Sequence, residues 1–467
     1  MRFQFYKFFI TALIICSISL AAENPSLQPW KENPYYWSID NKPVLLLGGS
    51  DDDNLFQWPE NRLLEQLDRL KAAGGNLIRN TMSDRKDKGF EVYPFQQEEN
   101  GLYDLNSWNK EYWIRFERLL RETEKRGIIV QIEIWDRFDY TDNGGSNNWQ
   151  LNPYNPKNNI NYRYVQSKFS EQYPDHPGAN KQPFFFTTPK QDNNLVVLKY
   201  QQKFVTKLLD ISLKYRNVLY CIDNETKAEE EWGAYWAQYI KQRSSKDGKH
   251  ICVTEMWDAW DLTSDEHKRT FDHPEIYDFV DVSQNNHNTG IKHWQNFLYV
   301  KKYLSKNPRP MNTTKTYGAD NNRFGSDQDG IERFWRHLLA GAASIRFHRP
   351  PSGLGLSDKA VASIRAARKL ESLIPLWTVE PTNTLLSESE ENEAYLATNK
   401  GQNTMVYFPS EGQVIVDVSS TKGPFELRWI NIDTGEWGPT DKSDDSNKLL
   451  LKTPGQGNWV VAIIPGK

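Results

Sequence analysis

The feature that most constrains the fold is a regular alternation of short apolar runs and amphipathic segments over about 330 residues. Eight runs are typical of buried strands, and segments such as 60–73 carry leucines at helical spacing. Eight strand–helix units favour a (β/α)8 TIM barrel of the α/β class. A doubly wound sheet is the alternative, but 48–51 lacks the glycine-rich phosphate loop that usually follows its first strand. The predicted strands are 44–47, 76–81, 128–134, 218–222, 251–255, 279–282, 309–314 and 343–348.

The pattern changes after Leu376, where short strand-like runs are separated by Gly, Pro, Asn and Asp. Such spacing is typical of a small antiparallel β-sandwich. We therefore predict a catalytic barrel over 23–377 and a β-sandwich domain over 378–467. The helix after strand 2 is predicted to begin at an N-cap, Ser107, and a long polar loop is expected over about 136–193.

The first 22 residues combine a basic start, an apolar run over 8–20 and two small residues, which predicts a secretory signal peptide. The run is too short to span a membrane. Cys16 is a weak lipoprotein candidate because the preceding Ile15 is bulky. We therefore expect a periplasmic or secreted protein without a membrane span.

Composition excludes several functional classes. The net charge of −4 and the absence of a basic stripe argue against nucleic acid as a partner. Cys221 and Cys252 lie in apolar runs, so we expect buried free thiols rather than a disulfide framework. No Cys/His spacing resembles a zinc site, and no metal or cofactor is expected. The acidic run 51–53 could hold a cation, but such a run is more often a solvated turn or a hydrogen-bonding anchor. The 17 Trp, 22 Tyr and 22 Phe suit sugar stacking, although a large core also uses many aromatic residues.

The fourth predicted strand ends abruptly at Asn224-Glu225. The carboxyl ends of barrel strands form the chemical face of this fold. We therefore predict that Glu225 transfers a proton in a sugar-processing enzyme and that Asn224 helps to bind the substrate. The alternative is a solvated glutamate near the start of a helix.

Several motifs resemble one family. The opening 37–48 resembles that of the apiosidase-like glycoside hydrolases, and Asn224-Glu225 resembles the acid/base strand end of retaining hydrolase barrels. The stretches 407–409, 429–436 and 457–461 resemble the β-domain that follows such barrels and carries a collagen-binding label, which we do not take as a function. The resemblance implies a TIM barrel and glycoside hydrolysis, with Glu225 as the general acid/base.

The resemblance also implies a second glutamate at the end of strand 7, which this chain lacks. Residues 309–319 contain no acidic residue, and Thr314 and Lys315 stand at the expected position. Neither side chain can replace a carboxylate that attacks an anomeric carbon. A shifted register would explain the difference. So would an inverting hydrolase, for which the candidate carboxylates are Asp51, Asp52, Glu255 and Asp258.

Basic and polar side chains follow the other predicted strands and should form a cationic half-circle opposite Glu225. Arginine pairs with carboxylate or sulfate, which predicts an acidic oligosaccharide as substrate. We expect part of this set to pair instead with the acidic run 51–53. The residues expected to bind substrate are Arg79, Asn80, Asn224, Trp257, Lys315, Arg346 and Arg349, with Arg323 just beyond strand 7.

A cationic clamp on a uronic acid favours β-elimination, because neutralising the carboxylate acidifies the proton at C5. The reaction needs a base and an acid but no nucleophilic carboxylate, and it makes the enzyme a polysaccharide lyase or an oligosaccharide dehydratase. The candidate proton carriers are Glu225, His287, Tyr317 and His348. Elimination is the reaction that we favour from the sequence. Hydrolysis of the apiosidase-like type and sugar binding without catalysis remain alternatives.

Overall fold

The computed structural model describes residues 27–83, 88–227, 229–399, 401–444 and 447–466. The predicted signal peptide at 1–22 lies outside these ranges. In the described part of the chain, no helix is both long enough and apolar enough to cross a bilayer.

Eight parallel strands form a nearly closed barrel, as the sequence predicts. Strands β1 to β8 pair in the order β5-β4-β3-β2-β1-β8-β7-β6. The short end strands β5 and β6 are connected by a hydrogen bond from Asp278 N to Val253 O, 2.9 Å long. The strands are β1 Leu46–Gly49, β2 Leu77–Thr81, β3 Ile129–Asp136, β4 Val218–Asn224, β5 Val253–Thr254, β6 Val280–Asp281, β7 Met311–Thr316 and β8 Ser344–Phe347.

A helix follows each strand and buries its apolar face against the barrel. In α1, leucines at positions 63, 67 and 70 are buried, as the helical spacing predicts. The predicted N-cap Ser107 is wrong, because Tyr103–Trp108 is a strand paired with Phe95–Gln97 and Asn109 caps α2. The helices are α1 Glu60–Ala72, α2 Lys110–Arg126, α3 Leu195–Ser212, α4 Glu230–Lys246, α5 Asp265–Phe271, α6 Gly290–Tyr303, α7 Asp327–Ala340 and α8 Asp358–Leu373.

An N-terminal hairpin covers the amino-terminal end of the barrel. Its strands Trp37–Ile39 and Lys42–Val44 turn at Asp40 and Asn41, which both have positive φ, and Gln28–Pro29 adds a third strand. The indole of Trp37 is fully buried and donates to Asn312 Oδ1 in β7, 2.9 Å away. The opposite end, where the strands carry their carboxyl termini, is the end available for chemistry.

The C-terminal strands form two facing antiparallel sheets, in the orders β9-β11-β12-β17-β14-β15 and β10-β13-β16. One face of the larger sheet packs on α7, where Trp335 stacks on Tyr407. The sequence did not reveal β15, because this edge strand is polar and largely exposed. The strands are β9 Glu380–Pro381, β10 Leu386–Ser387, β11 Tyr395–Asn399, β12 Asn403–Phe408, β13 Gln413–Asp417, β14 Phe425–Asn431, β15 Glu436–Ser443, β16 Lys448–Lys452 and β17 Trp459–Pro465.

Candidate active site

A cavity of about 580 Å³ opens at the carboxyl ends of the barrel strands. This volume lies in the range of about 300–1,000 Å³ that is typical of ligand sites. Four basic and three acidic side chains line it, together with aromatic and polar groups. The lining residues are Asp53, Arg79, Phe138, His176, Asn224, Glu225, Asp258, Trp260, His287, Lys315, Tyr317, Arg323, Phe324, His348, Arg349 and Ser352.

Glu225, directly after β4, forms an ion pair with Lys315 from β7. The distance from Lys315 Nζ to Glu225 Oε1 is 2.5 Å, and the side chains are 1% and 18% exposed respectively. Glu225 has a φ of 60°, a left-handed conformation that is uncommon for non-glycine residues and is found at functional sites. The adjacent backbone is fixed, because Thr226 N donates to Met256 O and Asp258 N donates to Thr226 O. Neighbouring strand ends therefore present Glu225 and Asp258 to one cavity.

The ion pair keeps Glu225 ionised despite its burial. Burial raises the pKa of Glu225, but the charge and hydrogen bond of Lys315 outweigh it and lower the pKa to about 2. Burial lowers the pKa of Lys315, but the Glu225 carboxylate outweighs that effect and raises it overall. Both groups are therefore charged at neutral pH.

Asp258, in the loop after β5, has the opposite tendency. Burial and the negative charge of Glu225 raise the pKa of Asp258 to about 7. A substantial fraction of this carboxyl group is therefore protonated near neutral pH. Two carboxyl groups whose pKa values are driven apart in one site are suited to an acid and a base.

Asp53, after β1, is the centre of an arginine network at the ends of β1, β2 and β8. Its carboxylate lies 3.1 Å from Arg79 Nη1, 3.0 Å from Arg346 Nη2 and 2.8 Å from Arg349 Nε. Burial raises the pKa of Asp53, but Arg79, His348 and the other two arginines hold it well below its usual range. Arg79 also pairs with the buried Glu133, at 2.6 Å. Much of the positive charge predicted for a substrate clamp is therefore neutralised within the protein.

An aromatic group forms part of the rim. His287 stacks on Trp260 with ring centroids 4.4 Å apart, and Tyr317 contacts Phe324 and His348 at 4.3 and 4.5 Å. Burial and nearby Arg323 lower the pKa of His287 to about 4, and burial also depresses the pKa of His348. Burial raises the pKa of Tyr317 to about 12. Both imidazoles are therefore neutral and the phenol is protonated at neutral pH.

The cavity brings together most, but not all, of the side chains singled out from the sequence. Three lie elsewhere. Asn80 accepts a hydrogen bond from Phe56 N, Trp257 is 1% exposed and donates to Thr270 Oγ1, and Arg346 is fully buried behind Asp53. The predicted residues that line the cavity are Arg79, Asn224, Glu225, His287, Lys315, Tyr317, Arg323, His348 and Arg349.

Sequence reasoning did not place several lining residues in the site. The sequence offered Asp53 only as part of the acidic run 51–53 and Asp258 only as one of several candidate carboxylates. Trp260 lies three residues beyond the predicted Trp257. Phe138 and His176 come from the long segment between β3 and α3, with ring centroids 5.6 Å apart. A loop that long cannot be oriented from composition, because its path depends on tertiary contacts.

The described residues contain no group of three or more His, Cys, Asp or Glu side chains able to hold a metal ion. Cys221 and Cys252 are buried free thiols outside the cavity, as the sequence predicts. The arrangement offers a carboxylate, a partly protonated carboxyl group and several cations, which are groups for proton transfer and anion binding.

Neither the protein-family models nor the curated protein sequences contain a match to this chain. Solved structures do match in fold. A glycoside hydrolase family 5 protein from Bacteroides vulgatus is 13% identical, with 95% of this chain and 93% of that chain covered and a TM-score of 0.63. A second protein, described only as a glycoside hydrolase, is 13% identical with coverage of 95% and 97% and a TM-score of 0.64. An α-amylase from Anoxybacillus is 14% identical with coverage of 91% and 98% and a TM-score of 0.55. At these identities the likeness establishes the fold.

Proposed function

We propose that the protein is a carbohydrate-active enzyme that performs β-elimination on a uronic acid unit of an acidic oligosaccharide. The main support is the Glu225–Lys315 ion pair, 2.5 Å long, at the cavity. In retaining glycosidases two carboxyl groups lie about 5 Å apart at the scissile bond. Here β7 contributes an ammonium group to the cavity instead, and an ammonium group binds an anion rather than attacking an anomeric carbon.

The carboxylate of a uronate can replace Glu225 as the partner of Lys315. When the substrate carboxylate binds Lys315, Glu225 loses the interaction that lowers its pKa to about 2. Burial and the added negative charge then raise the pKa of Glu225, which makes it a stronger base. Substrate binding itself would activate the base, and a neutral sugar would not.

The proton transfers balance with the residues present. Glu225 takes the proton from C5, the electrons of the C5–H bond form the C4=C5 double bond, and the C4–O bond breaks. The departing oxygen receives a proton from Asp258, whose pKa of about 7 leaves it partly protonated. Tyr317 is a second donor at the cavity. The neutral imidazoles of His287 and His348 would then contact the substrate instead of carrying the proton.

The leaving group decides the type of product. A free hydroxyl at C4 leaves as water, and the enzyme is then a dehydratase. A glycosidic oxygen at C4 leaves with its sugar, and the enzyme is then a lyase. The signal-peptide pattern at 1–22 fits an enzyme that meets such oligosaccharides outside the cytoplasm.

Glycoside hydrolysis is the second candidate function. It is favoured by the two carboxyl groups Glu225 and Asp258 in one cavity, with pKa values of about 2 and about 7. The resemblance of 37–48 and Asn224-Glu225 to apiosidase-like hydrolases and the hydrolase-like barrel support the same class. The resemblance implies that Glu225 is the general acid/base of such a hydrolase, whereas the two pKa values favour Asp258 as the acid and Glu225 as the base.

One assay separates these functions. The protein is incubated with uronic acid oligosaccharides. The ultraviolet absorbance of the C4=C5 bond and the concentration of reducing ends are followed together. Absorbance without new reducing ends indicates dehydration, and absorbance with new reducing ends indicates lyase activity. New reducing ends alone would overturn elimination in favour of hydrolysis. Binding with neither signal would support a sugar-binding protein.

A further inference from the structure

A second group of side chains at the cavity has no role in the proposed proton transfers. Trp260 follows β5, His287 ends the turn after β6, and Arg323 and Phe324 lie in the loop after β7. Trp260 is 55% exposed although His287 stacks on it at 4.4 Å, with the ring planes 9° apart. Trp260 also lines the cavity. An indole held by stacking on a second ring and still half exposed offers surface on which a sugar ring can stack.

Arg323 adds a positive charge to this surface. Its guanidinium carbon lies 4.6 Å from the Trp260 ring centroid, and its Nη2 is 3.2 Å from His287 Nδ1. Across the ranges that the structure describes, no ion pair joins Arg323 to a carboxylate, unlike Arg79 and Arg349. Its charge is therefore available to an anion from outside the protein.

The loops that carry these residues are fixed before a ligand binds. Asp320 accepts hydrogen bonds from Asn322 N and Phe324 N, and Arg333 donates to Phe324 O at 2.7 Å. On the other loop, Asn288 Nδ2 donates to Trp260 O at 3.1 Å. A preformed surface loses little conformational freedom on binding, which favours affinity.

We propose, building on the proposed function, that Trp260 and Arg323 form a subsite for the sugar unit next to the reacting uronate, and that this unit also carries an anionic group. Trp260 stacks on its ring, and Arg323 binds its carboxylate or sulfate. The substrate is then an oligosaccharide with acidic groups on adjacent units. The reacting unit lies at Glu225, Lys315 and Asp258.

Binding to a full-length Glu225→Gln protein tests the subsite independently of turnover. The probes are a uronate tetrasaccharide, its carboxyl-reduced counterpart and a sulfated tetrasaccharide, and binding is measured by calorimetry. Replacing Arg323 with Gln should weaken binding of an acidic probe by about tenfold or more, since charge-assisted hydrogen bonds contribute about 1.5–3 kcal/mol. The same substitution should leave binding of the reduced probe nearly unchanged. Trp260→Ala should weaken binding of both kinds of probe.

Matched substitutions outside the cavity serve as controls. Arg62→Gln removes another arginine that lies over an indole, Trp58, at 3.8 Å, and Trp437→Ala removes another exposed tryptophan. Neither should alter binding. Which acidic probe loses more affinity in Arg323→Gln identifies the anion as carboxylate or sulfate. Equal losses for acidic and neutral probes, no loss in Arg323→Gln, or no binding of either acidic probe would overturn the subsite. If the binding results are as expected but the elimination assay shows no activity, the proposed reaction is refuted and the proposed subsite is not.

Discussion

Two groups of charged side chains at the cavity differ in how they are paired. In the first, Asp53 joins three arginines from β2, β8 and the loop after β8, in a network that is mostly buried. In the second, Glu225 pairs with Lys315 and lies near the partly protonated Asp258. The first arrangement is suited to holding strand ends together. In the second, a competing anion can replace Glu225 as the partner of Lys315, so we assign a structural role to the first group and a chemical role to the second.

The largest effect should come from removing the proposed base. Glu225→Gln keeps the size of the side chain but removes its proton affinity, so kcat should fall by about 10³-fold, within the range usual for general base catalysis. Initial rates of absorbance increase on a uronate oligosaccharide measure the change. Glu332→Gln, which alters a glutamate paired with Arg336 at 2.9 Å outside the cavity, is the control and should keep full activity. Wild-type activity in Glu225→Gln would contradict the assignment.

In the Asp53 network, Asp53→Asn should mainly reduce stability. It removes the shared partner of three arginines, and breaking a buried charge pair costs about 3–5 kcal/mol in the free energy of unfolding. Because folding depresses the pKa of Asp53, its contribution is present above the unfolded pKa of about 3.9 and is lost as pH falls toward the folded pKa.

Urea unfolding at pH 7 and at lower pH measures this contribution. The difference between wild type and Asp53→Asn should shrink in acid. Asp51→Asn is the matched control, because the Asp51 carboxylate accepts a hydrogen bond from Leu356 N rather than binding the arginines. If Asp53→Asn lowers the free energy of unfolding by less than about 1 kcal/mol at pH 7, the network contributes little to stability.

Replacing Lys315 tests the proposed exchange of partners. Lys315→Met removes the anion-binding group, so kcat/KM on a uronate substrate should fall by about 10²-fold, mainly through KM, as expected when a charge-assisted hydrogen bond is lost. Lys315→Arg should recover part of the binding. Lys359→Met, which breaks the pair with Asp327 at 2.7 Å outside the cavity lining, should have little effect. An unchanged KM would argue against binding of the substrate carboxylate by Lys315.

The pH profile should report the proposed acid. Asp258 must be protonated to act, so with a pKa of about 7 the value of kcat/KM should fall about tenfold per pH unit above neutrality. Glu225, with a pKa of about 2, should impose no acid limb at moderate pH. Asp258→Asn should lower activity by about 10²-fold, at the low end of the range usual for general acid catalysis, and remove the alkaline fall. The control Asp261→Asn, in the same loop, should retain the alkaline fall in kcat/KM. An unchanged pH profile in Asp258→Asn would exclude Asp258 as the acid.

The sequence predicted the barrel well because its strands are nearly continuous apolar runs, as in β4 Val218–Asn224. It also indicated which strand ends carry polar groups, and nine of the predicted site residues line the cavity. It could not indicate which cations are already paired, because Asp53 meets Arg346 and Arg349 across nearly 300 residues of chain. That pairing follows from barrel closure, which brings β1 next to β8.

The wrong predictions of cavity-lining residues have local physical causes. Trp257 and Trp260 are three residues apart in an irregular loop, so their directions cannot be predicted from a strand period. Asn80 is next to Arg79 in β2, and successive side chains of a strand point to opposite faces, so Asn80 points away from the cavity that Arg79 lines. It accepts a hydrogen bond from Phe56 N, a contact that requires the loop after β1. Polar residues at strand ends are used for backbone hydrogen bonds as readily as for ligands.

The central claim is that an anionic ligand takes Lys315 from Glu225 and raises the pKa of that carboxyl group. A titration followed by carbon-13 NMR of labelled glutamate, with Glu225→Gln to assign the signal, measures this pKa directly. The ligand is an oligosaccharide that ends in a 4-deoxy uronate, which lacks the leaving group and is not consumed. We expect a pKa of about 2 in the free protein and a clearly higher value in the complex. A pKa that stays the same on saturation with this ligand would contradict the claim.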